Sequence, residues 1–454
     1  RRKIMSNHQD AIRDARALGM PKMLVLGLQH MFAMFGATIL VPIIVSSQYG
    51  LPLNIQTTLF FAGVGTLFFH VCSKLQVPAF LGSSFAFLGG FETISKLPAY
   101  EGMDPAGKLQ YACGGIVIAG LLYLVLALLV KVVGVKKVMR FLPPVVTGPI
   151  IVCIGLNLAP TAVSNASSNW PLALIALGVI IVFNIWGKGM LKIIPILLGV
   201  VISYAAALVM NAMGMTNADG SAILNLATIA QAGWVGLPPF QIAKFDLSGI
   251  LVMAPIAIAA MMEHIGDMSA ISATVGKNFI EAPGLHRTLI GDGLATALSG
   301  MFGGPANTTY GENTGVLVLS RVYDPRVIRL AAVYAVVLGF IPKMASVIGT
   351  MPSAIVGGVS FMLYGMISAI GVRNIVENQV DFTNSRNLII AAVILVCGLG
   401  FSGGLTFHVA GTAVTLTGLA IAAIAGIALN AILPGNDYEF GISQSGDENQ
   451  GIHQ

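Results

Sequence analysis

Between residues 24 and 433 the chain alternates apolar runs with short polar, Gly- or Pro-containing breaks, and charge is almost confined to the breaks. An α-helix needs roughly 18 to 25 apolar residues to cross a bilayer core. The pattern predicts fourteen such spans. The first seven cover 24–45, 56–72, a short broken third within 80–91, then 111–130, 145–158, 171–186 and 193–213. A polar, Gly-containing connection over 214–248 separates them from 250–268, 285–302, a broken tenth within 305–322, then 329–348, 354–371, 387–401 and 412–433. An odd number of spans per half forces the second half to enter the membrane inverted. The expected fold is therefore an all-α polytopic membrane protein with 14 transmembrane segments in a 7+7 inverted repeat.

The third and tenth segments occupy matching positions and both resist a continuous helix. In Val77-Pro78-Ala79-Phe80-Leu81-Gly82-Ser83-Ser84-Phe85, Pro78 and Gly82 oppose helix formation, while Ser83 or Ser84 suits the cap of a short helix beginning there. In Gly304-Pro305-Ala306-Asn307-Thr308-Thr309-Tyr310-Gly311-Glu312 the apolar run resumes only after Glu312. A helix from there to Val322 covers about 16 Å of a roughly 30 Å core, so it is a half-helix. Unpaired backbone is not tolerated against lipid, and the two β-prone stretches are expected to pair inside the protein. Half-helix N-termini would then aim positive dipole ends and free N–H groups at the centre.

Composition agrees: 56% of residues are hydrophobic and 9% charged, far from the globular norm of about 25% charged. Lys and Arg gather in loops on the cytoplasmic side of membrane proteins. With both termini inside, all but Lys96, Lys108, Lys244 and Lys343 of the 24 basic residues fall on that side. Orientation thus accounts for the net charge of +5, and no nucleic-acid partner is needed. The polar tail over 435–454 reads as disordered. Cys72, Cys113, Cys153 and Cys397 lie in apolar spans without metal-ligand spacing. Neither a nucleotide-binding loop nor an enzymatic constellation is present, so no cofactor and no catalysis are expected.

Acidic residues within spans default to function, because they persist where they face a bundle interior or a water path. Glu263 lies deep in the eighth span, where a mere helix-end cap would oppose the macrodipole. Glu312 opens the half-helix, a good place for a Glu on dipole grounds alone and also where a substrate would dock. Asp267 follows Glu263 by four residues, on the same helical face. Two carboxylates held close in a low dielectric resist double ionisation, so a proton would be held there. A helix-end Asp bonded to backbone is the plainer alternative. Asp292 and His264 read either as proton relays or as structural hydrogen-bond partners, as does His30. Phe85 and Tyr310 stand at the two breaks, as stacking faces for a flat heterocycle or as packing. Tyr364 reads as a residue of a gating helix or as an interhelical hydroxyl.

Several segments, in order along the chain, are then familiar: Gln29-His30-Met31-Phe32-Ala33-Met34-Phe35-Gly36-Ala37-Thr38, Gly82-Ser83-Ser84-Phe85-Ala86-Phe87, Glu263-His264-Ile265-Gly266, Pro283-Gly284-Leu285-His286-Arg287 and 307–315. Together they resemble the nucleobase-cation symporter family of bacterial uracil permeases and nucleobase-ascorbate transporters. The resemblance implies short antiparallel strands in segments 3 and 10, proton coupling, and a possible homodimer in the cytoplasmic (inner) membrane. It also implies a core domain over 23–131 and 249–349 and a gate domain over 132–213 and 350–434. Outside these lie a cytoplasmic N-terminal segment, 1–22, the external connection 214–248 and the tail 435–454. By position, Glu263 and Glu312 correspond to substrate-binding carboxylates, Phe85 to the stacking ring, Gly311 and Tyr310 to backbone contacts, and Ala37 and Tyr364 to pocket neighbours. Proton coupling would involve Glu263, Asp267, Glu312, Asp292 and His264.

Two positions depart from the family pattern. Ser320 stands for the usual Thr, and Asp267 occupies a place where uracil permeases carry His and purine-type members tend to carry Asp. Glu312, however, matches the uracil type. Uracil offers two N–H donors and two carbonyl acceptors around a flat ring, which two glutamates, backbone N–H groups and an aromatic face complement. The sequence therefore predicts proton-coupled nucleobase uptake, with uracil first. A xanthine, urate or other purine permease is the nearest alternative, and an anion exchanger or channel on a related fold is the alternative of another class.

Overall fold

The apolar runs fold as helices whose ends are fixed by polar caps. The computed structural model describes residues 11–401, 403–409, 412–435 and 438. Its first half comprises α1 (Met20–Ser47), α2 (Ile55–Cys72), β1 (Leu81–Ser83), α3 (Leu88–Ser95), α4 (Pro105–Val133), α5 (Pro144–Asn157), α6 (Ala159–Ala166), α7 (Trp170–Trp186) and α8 (Pro195–Ala212). The second comprises α9 (Leu247–Met253), α10 (Ile256–Val275), α11 (Leu285–Met301), β2 (Asn307–Thr309), α12 (Gly311–Ser320), α13 (Pro325–Gly339) and α14 (Pro342–Gly349). It continues with α15 (Ser353–Glu377), α16 (Ser385–Gly400), β3 (Leu405–Val409), β4 (Thr412–Leu416) and α17 (Gly418–Ile432). Side chains of Asn54, Asp104 and Asp246 accept first-turn N–H groups of α2, α4 and α9, satisfying donors that a helix leaves open.

Among the described residues, seven helical stretches are long and apolar enough to cross a membrane, eight if α13 and α14 count as one bent span. Three further apolar helices, α7, α16 and α17, are shorter. The chain is a multi-pass membrane protein.

Three spans differ from the expected pattern. The eleventh, 329–348, is two helices bent by 84°, with Pro342 opening the second, where its missing N–H costs nothing. The eighth begins earlier, at Leu247, and is interrupted before Ile256, behind Pro255. The fourteenth, 412–433, becomes helical only at Gly418. Its first residues form β4 in an antiparallel hairpin with β3, Leu405 facing Leu416 and Thr406 facing Thr415. Thr412, Val414 and Thr415 are β-branched and favour strand over helix. Hydrophobicity alone does not distinguish the two.

The strands expected in the third and tenth segments are present and antiparallel. Leu81 faces Thr309, Gly82 faces Thr308 and Ser83 faces Asn307. Flanking bonds from Ser84 N–H to Ala306 O (2.8 Å) and from Tyr310 N–H to Phe80 O (3.0 Å) extend the ladder. Each strand is fastened by a helix of its own half in the same way. Thr66 Oγ1 of α2 accepts the Leu81 N–H at 2.9 Å and stands 3.2 Å from its carbonyl oxygen. Thr296 Oγ1 of α11 accepts the Asn307 N–H at 3.2 Å and donates to its carbonyl at 3.0 Å. Two residues upstream of each strand, Ala79 O accepts from His70 Nε2 (2.9 Å) and Pro305 O from Ser299 Oγ (2.6 Å).

Helix α11 packs along α4 and α2, α13 along α2 and α1, and α9 on α4. A second set joins α15 to α5, α6 and α7, α16 to α17 and α5, and α8 to α7. Contact between the sets runs chiefly through α10 on α5 and α17, α8 on α1, and β4 on α9. Where helices press closely, glycines permit it: a Cβ on Gly115 would fall 2.5 Å from Gly249 O and 2.6 Å from Met253 Cβ.

The N-terminal segment is pinned to the far end of α12. Ile12 bridges in parallel to Val322, its N–H donating to Arg321 O and its carbonyl accepting from Tyr323, both at 2.9 Å. Ala15 N–H donates to Asp324 Oδ2 at 2.8 Å, and Arg326 pairs with both Asp14 and Asp324. The Arg16 side chain hydrogen-bonded to Asp14 holds that carboxyl well below the usual carboxylate range. Residues 1–10 and the expected tail beyond Gly435, except Tyr438, lie outside the described residues.

Candidate functional site

The two breaks meet in the interior, and Tyr310 locks them together. Its ring lies directly over Gly82, where a side chain would collide with ring carbons, and its hydroxyl donates to Ser83 O at 2.8 Å. Ser83 Oγ in turn donates to Thr38 O at 2.8 Å, so α1, beside Ala37, is bound into the same knot. Ala37 is fully buried. The Tyr310 N–H is already committed to Phe80 O. Free first-turn donors therefore begin with Gly311, the first residue of α12.

A chain of titratable and hydroxyl groups runs behind this knot. Asp267, one turn after Glu263 on α10, accepts from Thr309 Oγ1 at 2.8 Å. Thr309 Oγ1 stands 3.5 Å from His264 Nδ1. His264 Nδ1 lies 3.1 Å from Asp292 Oδ2, with both side chains fully buried. On its other edge, His264 Nε2 is 3.0 Å from Thr288 Oγ1, whose hydroxyl donates to Leu285 O at 3.0 Å. With its own proton given to Leu285 O, the Thr288 hydroxyl is placed to accept from Nε2–H. Asp267, His264 and Asp292 are among the residues that the family resemblance assigns to proton coupling; Thr309, which stands between Asp267 and His264, is not. A Thr two residues before a half-helix is the only sequence signal, and strands are rich in Thr.

Glu263 is half-buried on α10, with Oε2 shielded from solvent. A Cβ built on Gly311 would stand 3.7 Å from Asp267 Oδ1 and 3.5 Å from Ile370 Cδ1 of α15. The N-terminus of α12 thus opens between the acidic face of α10 and α15. Glu312 is the second residue of α12, and its side chain lies outside the described residues. Asn313, one residue on, donates from Nδ2 to His30 O at 3.1 Å and lies 3.3 Å from His30 Nδ1, tying the half-helix to α1. Phe85, on the turn after β1, meets Tyr364 of α15 edge-to-face with ring centroids 5.8 Å apart. Both are buried. Helix α10 packs on that turn, on β2, on α12 and on α5, which places Glu263, Phe85 and the start of α12 on neighbouring elements. Dipole ends, carboxylates and an aromatic face assembled in this way suit a small, flat, polar ligand.

The chain is similar to several known proteins over most of its length. The uracil permease of Bacillus caldolyticus is 41% identical over 93% of this chain and 94% of its own length. That of Bacillus subtilis (strain 168) is 41% identical over 90% and 91%, and that of Escherichia coli (strain K12) 37% identical over 90% of each. Among solved structures, the transmembrane domain of the cyanobacterium bicarbonate transporter BicA superposes with a TM-score of 0.61 at 14% identity, covering 91% of this chain and 99% of that one. Murine Solute Carrier 26 family member A9, an anion transporter in the inward-facing state, gives 0.60 at 10% identity, over 90% and 67%. At such identities the likeness is one of fold alone. The model of the Permease family matches residues 21–407. The chain belongs to that family, the nucleobase-ascorbate transporters that its motifs resemble.

Proposed function

We propose that this chain carries uracil into the cell across the cytoplasmic membrane, driven by protons, with both termini in the cytoplasm. The observation that carries the reading is the 41% identity with a uracil permease over 93% of the chain, which takes in both breaks. In this reading the ring of uracil stacks on Phe85, its N–H groups donate to Glu263 and Glu312, and its carbonyls accept from the first-turn N–H groups of α12. Tyr310 holds the breaks together, and Ala37 and Tyr364 border the pocket. A proton entering the Asp267, Thr309, His264 and Asp292 chain neutralises charge as substrate binds. Release of both on the other side completes the cycle.

The fourteen-span, seven-plus-seven organisation belongs to the same proposal. It is supported by the equivalent roles of Thr66 and Thr296, and of His70 and Ser299, in the two halves. The two packed sets of helices support a core domain over 23–131 and 249–349 moving against a gate domain over 132–213 and 350–434. A purine permease is the second reading, favoured by Asp267 alone.

Uptake of labelled uracil, challenged with a panel of unlabelled nucleobases, decides between the readings. Uracil is expected to compete best, and competition by xanthine or urate but not by uracil would overturn the assignment. Uracil binding to purified Glu263→Gln and Glu312→Gln proteins tests the pocket. Unaltered affinity in both would move it elsewhere.

A further inference from the structure

We propose that the membrane edge where α2 and α4 end and α11 begins binds the phosphate of an anionic phospholipid, through Lys74, Lys131 and Arg287. Helix register brings the three residues to one level. α4 and α11 cross where a Cβ on Gly120 would meet Ala297 Cβ at 3.0 Å and one on Gly293 would meet the Tyr123 ring at 3.2 Å. Eight residues on from Tyr123 is Lys131, and seven back from Gly293 is His286, each about 11–12 Å along its axis in the same direction. α2 runs beside α11 in the same antiparallel sense, with a Cβ on Gly291 3.0 Å from Phe69 Cα and 3.2 Å from Cys72 Cβ. Arg287 Nη1 stands 3.5 Å from Cys72 O, two residues before Lys74. Lys74, Lys131 and Arg287 all act electrostatically on the His286 ring.

Three further features make this edge unlike an ordinary basic loop. Among the described residues no carboxylate forms an ion pair with Lys74, Lys131 or Arg287; the nearby acid in sequence, Glu281, faces Asn278 at 3.4 Å. Lys74 and Leu75 both adopt left-handed backbone, φ 56° and 59°, a conformation that such residues rarely take and that here turns the chain sharply beside α11. Exposed apolar side chains adjoin the cations: Val71 (67% exposed) and Leu75 (50%) on one side, Leu128 (60%) and Val132 (74%) on the other. Cations that form no ion pair among the described residues, bordered by exposed apolar strips, match a headgroup phosphate with its acyl chains running along α2 and α4.

Native mass spectrometry of the detergent-purified full chain, titrated with phosphatidylglycerol or phosphatidylcholine, tests this. Each neutralised cation should weaken phosphatidylglycerol binding about fivefold, so the triple variant Lys74→Gln/Lys131→Gln/Arg287→Gln should bind about a hundredfold more weakly. Lys74→Arg/Lys131→Arg should bind like the unaltered protein, which separates loss of charge from loss of fold. Equal phosphatidylglycerol binding by unaltered and triple-variant protein, or equal binding of both lipids by the unaltered protein, overturns the proposal. Inorganic phosphate is the third arm: if it displaces bound phosphatidylglycerol at micromolar concentration, the site is one for a free anion and the lipid assignment fails.

Discussion

Replacing Gly82 by Ala strikes the junction on which the proposed pocket depends. The new methyl would land on the Tyr310 ring and 2.6 Å from Thr38 Oγ1, so the ring must leave the strand pair in which Gly82 faces Thr308. Its departure strips Ser83 O of the hydroxyl that donates to it at 2.8 Å. A buried carbonyl left without its partner costs about 1–3 kcal/mol, and overfilling a packed interior adds about 1–3 kcal/mol. The expected loss is about 2–6 kcal/mol, large beside the roughly 5–15 kcal/mol that holds a typical protein folded. Thermal denaturation of the purified protein in detergent, together with uracil uptake, reads the effect. Gly89→Ala is the control, since nothing lies within 4 Å of its built Cβ, and it should be neutral or slightly stabilising. With Tyr310→Ala in the same chain the methyl has room, so the double variant should lose at least about 1 kcal/mol less than the sum of the singles. Additive losses, or a Gly82→Ala protein that melts with the parent, would refute the reasoning.

Thr309→Val keeps the β-branched shape and removes the hydroxyl between Asp267 and His264. A hydrogen bond to a charged group is worth about 1.5–3 kcal/mol, so proton-driven accumulation in proteoliposomes should fall about tenfold or more while uracil exchange at equal pH persists; undiminished accumulation would exclude Thr309 from the relay. Phe85→Ala should raise the Kd for uracil about tenfold by calorimetry, through lost aromatic contact and pocket area, and an unchanged Kd places the ring elsewhere. Asp324→Asn should free the N-terminal segment from α12, seen as faster proteolytic cutting after Arg13 and Arg16; equal rates would show that the segment is held by other contacts. The Asp14 carboxyl is depressed in the folded protein, so its contribution is in place above the unfolded value of about 4 and is lost only as pH falls through the folded one. Protection of this segment should accordingly be flat from about pH 8 to pH 5, and a loss near pH 6 would contradict the assignment.

Much of the fold is written in residue types whose physics is local. Pro78, Gly82 and Pro305 announce the two breaks because each forbids or weakens a helix whatever surrounds it, and matching placement in the two halves makes pairing the natural use of their free backbone. The β3–β4 hairpin is hidden for the opposite reason: Thr412 to Leu416 is as apolar as a span, and only its β-branched content and the neighbouring Gly404 hint at strand. Just before the bend between α13 and α14, Gly339 rests on Gln56 and Phe60 of α2, a contact that sequence distance conceals. Within the site, buried acids are legible because charge in hydrocarbon demands a reason. Thr309, Thr66 and Thr296 are not, since a threonine's worth lies entirely in which neighbour its hydroxyl meets.

The twin threonine fastenings carry a mechanical corollary. Because each strand is anchored to a helix of its own half and paired to the strand of the other, the two strands and the groups they carry would move as one cartridge in the proposed stroke. The side of the proposed site that the strands carry would then be the same at either membrane face, and what changes across the stroke is the facing wall that bears Tyr364.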